Sequence, residues 1–217
     1  MHKSVRTART VRYTQEELNN LIVIKGDERI IRDIDFARCD LSELDLSKIT
    51  FIKCGFKGAN LIKVNLSGAN LTEANLKWTD LSYANISYAN LTESDLSYAD
   101  LSHATLTQAD LIKANLSDAN LGIANLSGAT LIQANLIKAS LLKANLTKVD
   151  LTKANLSIAD LRWANLTGAN LTEANLSGAN LTEANLRWAN LTEADLSYAI
   201  LAKANLTETI LEGTNDA

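Results

Sequence analysis

Residues 66–76 read Leu-Ser-Gly-Ala-Asn-Leu-Thr-Glu-Ala-Asn-Leu, and how far this cadence extends decides the fold. From Leu71 an apolar residue returns at every fifth position, back to Phe36 and on to Leu211. The thirty-six centres are all Leu, Ile or Phe, and the register never slips. A small residue stands two positions before most centres, as at Ala69, Ala74, Ala84 and Ala89, and Asn or Asp lies between, as at Asn70 and Asp100. The unit is A-[ND]-L-x-x. A self-similar period of this strictness outranks every local signal.

Five residues suit neither common element. On an α-helix they advance ~500°, so the leucines would wander around the axis. In a continuous strand an odd period would flip the leucine face at each repeat. The pattern works only if each unit is a short extended piece followed by a turn of constant sense. Ala69 and Leu71 then point inward, Asn70 points outward, and Thr72-Glu73 turn the corner. Repetition winds the chain into a solenoid whose stacked coils bond like strands ~4.8 Å apart. The period leaves the number of sides open: three need fifteen residues per coil and four need twenty.

The A-N-L-x-x run, as in residues 66–71 and 171–176, resembles the pentapeptide repeat family over about four fifths of the chain. The resemblance implies an all-β, right-handed, four-sided β-helix of about nine coils. Residues 34–213 are expected to form it. Residues 1–12 carry Lys3, Arg6, Arg9 and Arg12 without an acid and read as a disordered basic tail, with a transit peptide or anion-binding arm as alternatives. Residues 13–33 read as a helical cap and lead-in, because Thr14 and Glu17 form a capping-box pattern ahead of Leu18, Leu21 and Ile22, with Gly26 as a stop. Such a lid would cover the first coil's core and edge. Residues 214–217 form a short C-terminal tail.

The C-terminus has no equivalent lid. Ile200 and Ile210 put apolar side chains where the unit has Asn or Asp, beside Leu211. This end is expected to pair with a second copy, and C-terminal dimerisation in some family members implies the same.

Composition narrows the function classes. The 217 residues are 47% hydrophobic and 21% charged with a net charge of −4, so direct nucleic-acid binding is not expected. No apolar run has the ~18 residues of a membrane span. The absence of Pro suits an unbroken backbone ladder. Cys39 and Cys54 occupy small inward positions and read as reduced core thiols, consistent with a cytoplasmic protein. His2 and His103 lack metal-ligand spacing, and no nucleophile or phosphate-loop motif appears. No enzyme, cofactor or metal is expected. The many N-x-[ST] matches follow from the repeat and are not read as glycosylation sites.

Individuality resides in the two outward residues after each centre. Trp78, Tyr83, Tyr88 and Tyr98 fall at the second of these and form a candidate partner-binding belt. With four sides, the first three wrap one coil and Tyr98 stacks above Trp78. Lys138, Lys143, Lys148 and Lys153 ring another coil, and the coils beyond residue 156 are acidic. The leading expectation is a non-catalytic scaffold that binds an unidentified protein. An alternative drawn from the family is a DNA mimic that binds DNA gyrase or topoisomerase, inhibiting it or protecting it from quinolones. A third is a flat-face activity such as ice binding, because Thr72, Thr92, Ile112, Ile132, Thr152, Thr172 and Thr192 recur at coil spacing.

Overall fold

Alternation of small, polar and large residues separates inside from outside. In the unit 69–73, Ala69 and Leu71 are buried, while Thr72 and Glu73 are exposed. The computed structural model describes residues 11–215, and this pattern runs through most of it. Each Asn or Asp position pairs in parallel with the position twenty residues on, as in Asn70 with Asn90 and Asn90 with Asp110. Twenty residues are four units, so each coil has four sides.

Every amide in the unit has a role. The Asn70 N–H donates back to Ile49 O at 2.9 Å, and the Leu71 and Glu73 N–H groups donate forward to Asn90 O and Thr92 O at 2.7 and 2.9 Å. Ala74 N–H closes the corner on Leu71 O at 3.0 Å. The ladder leaves over the first outward amide, Thr72 N–H, which donates to Asn70 Oδ1 at 3.1 Å. Asn and Asp recur before the centre because their short side chains reach the amide two residues on. Several Asn side chains also bridge coils, as Asn85 Nδ2 does to Asn65 Oδ1 at 3.2 Å.

The corner is a type II turn, which requires φ > 0 at its third residue. All thirty-six second outward residues have positive φ, and only six are Gly. Trp78 (φ 62°), Lys138 (φ 58°) and Glu173 (φ 57°) thus occupy a region that costs an L-residue ~1–2 kcal/mol. Ladder and core must offset that strain at each corner.

Four features correct the terminal boundaries. Helix α1 spans only Gln15–Asn19, although its Thr14–Glu17 capping box is complete. Strand β1 (Val23–Lys25) and strand β2 (Glu28–Arg32) follow it as an antiparallel hairpin instead of further helix. β-branched Val23 and Ile24 favour a strand, and Gly26 (φ 62°) suits the first central residue of a two-residue hairpin turn. Second, β2 pairs in parallel with strand β3 (Ile49–Ile52) at a twenty-residue offset. Ile31 is a buried centre and Asp33 (φ 56°) is its corner residue, so the register starts one unit before Phe36. Third, the outer part of the basic tail lies outside the described residues, but Arg12 bridges to Asp40 and pairs with its carboxylate at 3.5 Å. Fourth, Asn215 bridges to Asp195 and continues the ladder past residue 213.

The N-terminal segments pack on the first coil. Leu18 is wholly buried, the Tyr13 ring meets Phe36 edge-on at 5.3 Å, and Gln15 exchanges hydrogen bonds with the Asp45 backbone. Phe36 in turn stacks on Phe56 at 5.3 Å.

Hydrogen bonds from the serine two residues on hold the Asp40, Asp45 and Asp195 carboxyls below their ordinary range. Because the folded pKa is the lower one, their stabilisation is present above the unfolded value of ~3.9 and is lost as pH falls through the folded value. Thermal unfolding followed by circular dichroism should show stability declining below about pH 4. Replacing Asp40 and Asp195 by Asn, which keeps the acceptor, should shrink that decline. Leu126→Ala should destabilise by about 2–5 kcal/mol in chemical denaturation. Gln133→Gly should leave stability equal or higher, because relief at the left-handed corner exceeds the ~0.5–1 kcal/mol entropic cost of Gly.

Candidate functional site

The corner ladder fixes where outward side chains stand. Nearly every second outward N–H up to Glu193 donates to the carbonyl of the residue nineteen positions on, so corner side chains stack in four columns at coil spacing. Trp78 N–H donates to Ser97 O at 3.2 Å, which sets Tyr98 beside Trp78. Their rings lie 4.2 Å apart, only 3° from parallel. Trp78 is 56% exposed and Tyr98 47%, so the stack presents an outer edge to solvent. In the neighbouring column Tyr83 stacks on His103 at 4.6 Å and 7°. Tyr88 stands on a third side, 65% exposed.

The structure therefore joins Trp78 with Tyr98 and places Tyr83 and Tyr88 on other corners. His103 joins the belt through the twenty-residue offset, a signal available in the sequence once four sides are assumed. A second aromatic group lies in later coils. Trp163 and Trp188 donate their indole N–H to Glu183 Oε2 at 3.1 Å and Glu208 Oε2 at 2.8 Å. The Arg187 guanidinium covers the Trp188 ring at 3.9 Å. These Trp–Glu pairs also follow the twenty-residue offset.

The two ends differ. Phe36, Leu41 and Leu46 are buried, whereas Ile200, Ile210 and Leu211 are 50%, 51% and 41% exposed, with Leu206 beside them. Among the described residues no coil covers that apolar face.

Charges in the later coils are largely paired. Arg162 donates two bonds of 2.8 Å to Asp160 and holds its carboxyl below the ordinary range. Lys153 meets Glu173 at 3.3 Å, Lys203 meets Glu183 at 3.9 Å and Arg187 meets Glu208 at 3.9 Å. Cys39 and Cys54 are free and buried, and burial pushes both thiols up. On the threonine face, the Thr72, Thr152, Thr172 and Thr192 hydroxyls donate to the neighbouring Asn or Asp at 2.6–2.7 Å, so those protons are engaged.

Among the described residues no His, Cys, Asp and Glu group could hold a metal ion, and no helix is long and apolar enough to cross a membrane. A shallow cleft of about 250 Å³ lies between Phe51, Lys53 and Glu73 at one corner.

The Pentapeptide repeats family matches in six stretches between residues 30 and 215. No curated protein sequence matches the chain. Among solved structures, the chain is similar to HetL, a pentapeptide repeat protein involved in heterocyst differentiation regulation from the cyanobacterium Nostoc sp. strain PCC 7120. They share 34% identity over 86% of this chain and 88% of that one, with a TM-score of 0.42. A trypsin-treated form of QnrB1, a plasmid-mediated fluoroquinolone resistance protein, is 21% identical over 86% and 88%, with a TM-score of 0.69, a likeness of fold alone. A pentapeptide repeat protein from the Arabidopsis thaliana thylakoid lumen is 38% identical over 47% of this chain and 64% of that one, with a TM-score of 0.30. The family match spans nearly the whole register that the bridges trace, and the chain belongs to the pentapeptide repeat family, whose members wind as right-handed four-sided β-helices.

Proposed function

We propose that the protein is a non-catalytic interaction scaffold whose aromatic belt of Trp78, Tyr83, Tyr88 and Tyr98 recognises a protein partner. The observation that carries this reading is the half-exposed, parallel Trp78–Tyr98 stack on a convex rod. Large aromatic rings held rigidly by the ladder give contact area at low entropic cost. The segment around helix α1 serves as the cap and about nine coils make up the rod, supported by the burial of Leu18 and the twenty-residue bridges. Ile200, Ile210 and Leu211 form a homodimer contact, supported by their exposure at the end of the described coils. The free, buried thiols support a cytoplasmic location.

The second reading is a DNA mimic directed at gyrase or topoisomerase, favoured by the acid surplus beyond residue 156. One corner column weighs against it, because Lys113, Gln133 and Lys153 separate Glu93 from Glu173. Supercoiling by DNA gyrase in the presence of excess protein, at two salt concentrations, separates the readings. The scaffold reading expects no inhibition, whereas salt-sensitive inhibition would favour the mimic. Partners captured by the intact protein should be lost when Trp78 and Tyr98 are both replaced by Ala, with the fold unchanged by circular dichroism. Sedimentation should give a dimer that Ile210→Lys converts to monomer.

A further inference from the structure

Two corners break the conformational preference of their residue. Ile123 (φ 61°) and Ile158 (φ 60°) are the β-branched residues among the thirty-six left-handed corner positions. A β-branched side chain is a marked outlier in that region. Neither position is compensated by burial, since Ile123 is 51% exposed and Ile158 61%. Strain retained without a packing return points to use of the surface.

The two residues flank one side of the rod. Ile123, Lys143 and Trp163 follow one another in one corner column, as the bonds from Ile123 N–H to Leu142 O (2.8 Å) and from Lys143 N–H to Arg162 O (2.9 Å) require. Lys138 and Ile158 follow one another in the adjacent column, where Lys138 N–H donates to Ser157 O at 3.0 Å. The flat side between the columns is also irregular. Ser140 stands where the unit has Asn or Asp, and Leu142 puts an apolar side chain outward.

Charge is present without a partner. Among the described residues neither Lys138 nor Lys143 is in an ion pair, while Lys113 and Lys153 each hold a glutamate. The Lys143 ammonium lies 5.6 Å from the Trp163 ring centre, and Trp163 is nearly half exposed. Asp118, below Lys138, and Glu183, which accepts the Trp163 indole N–H at 3.1 Å, are the acidic corner residues next to this side, and between Ile158 and Trp163 Arg162 neutralises Asp160. The side thus offers two available ammonium groups framed by Ile123, Leu142, Ile158 and Trp163.

We propose that this side is a second docking surface, and that its occupant is an acidic protein segment anchored by apolar side chains. Lys138 and Lys143 meet its carboxylates, while Ile123, Ile158 and Trp163 receive its apolar side chains. Unpaired ammonium groups select an anionic partner by charge complementarity. The apolar frame favours a peptide over a bare polyanion such as nucleic acid. The proposal extends the scaffold reading to a surface that excludes Trp78 and Tyr98, so the two can fail separately.

The test uses the full chain with Trp78→Phe and Trp188→Phe, which leaves Trp163 as the remaining tryptophan. The probe is a synthetic peptide carrying Leu and Phe at helical spacing among glutamates. A saturable shift in Trp163 emission is expected, absent with the lysine-substituted peptide and with oligothymidylate. Lys143→Glu, and separately Ile123→Gly with Ile158→Gly, should weaken binding about tenfold or more. The Gly variants relieve the corner strain, so their unfolding temperature should stay equal or rise, and misfolding cannot account for lost binding. An absent or unsaturable response, an equal response to the lysine peptide, tight oligothymidylate binding, or unchanged affinity in both variants would each overturn the proposal. Trp78→Ala with Tyr98→Ala, tested against the same peptide with Trp163 as reporter, should leave its affinity unchanged.

Discussion

The structure depends on what happens to one amide in five. In most units four N–H groups find carbonyls through the coil ladder and the corner turn, and the fifth finds the side-chain oxygen of Asn or Asp two residues earlier. A backbone donor left unpaired costs as much as a lost hydrogen bond. A local side chain that supplies the missing acceptor therefore stabilises the corner wherever Asn or Asp stands before the centre. It also explains the composition of the repeat. Ala fills the inner corner, Leu fills the axis, and the polar residue between them completes the hydrogen bonding of the turn.

That constraint explains how much was readable in advance. The five-residue return of Leu excluded helix and plain strand, and the inward Ala and outward Asn followed from a period shared by all units. The number of sides did not follow, because it depends on the angle of each corner. The left-handed corners were also hidden. Sequence signals for φ > 0 are Gly and Asn, yet Lys, Glu, Trp and Tyr occupy most of these positions. The unit centred on Ile31 escaped detection because Arg29 stands where the repeat has a small residue. The hairpin at Gly26 was read as a helix stop because Leu18, Leu21 and Ile22 continue a helical face up to it.

The candidate surfaces were legible to a different degree. The belt could be placed because an aromatic at a second outward position must stand at a corner, and the twenty-residue offset then pairs Trp78 with Tyr98 and Tyr83 with His103. Side-chain pairing across coils was less apparent. The acidic later coils contain Arg162, Arg187 and Lys203, each engaged with a carboxylate, so formal charge overstates the field these coils project. Strain at Ile123 and Ile158 could be recognised only with backbone dihedrals in hand.

The ladder also gives the rod a direction. Each side of a coil sends two N–H groups forward, from the centre and from the second outward residue, and receives one from the coil ahead. Within the described residues the last coil ends in surplus donors: no described carbonyl lies ahead of Leu201 and Lys203, whereas Leu181 and Glu183 bond to Ile200 O and Ala202 O. Two such ends brought face to face about a twofold axis would set two donors and one acceptor per side against the same set, so part of the N–H groups would find no carbonyl there. A symmetric junction there would rest in part on side chains such as Ile210 and Leu211, with water serving the remaining amides. Head-to-tail stacking would match donors with acceptors and grow without limit, and the segment around Leu18 occupies the end where it would begin.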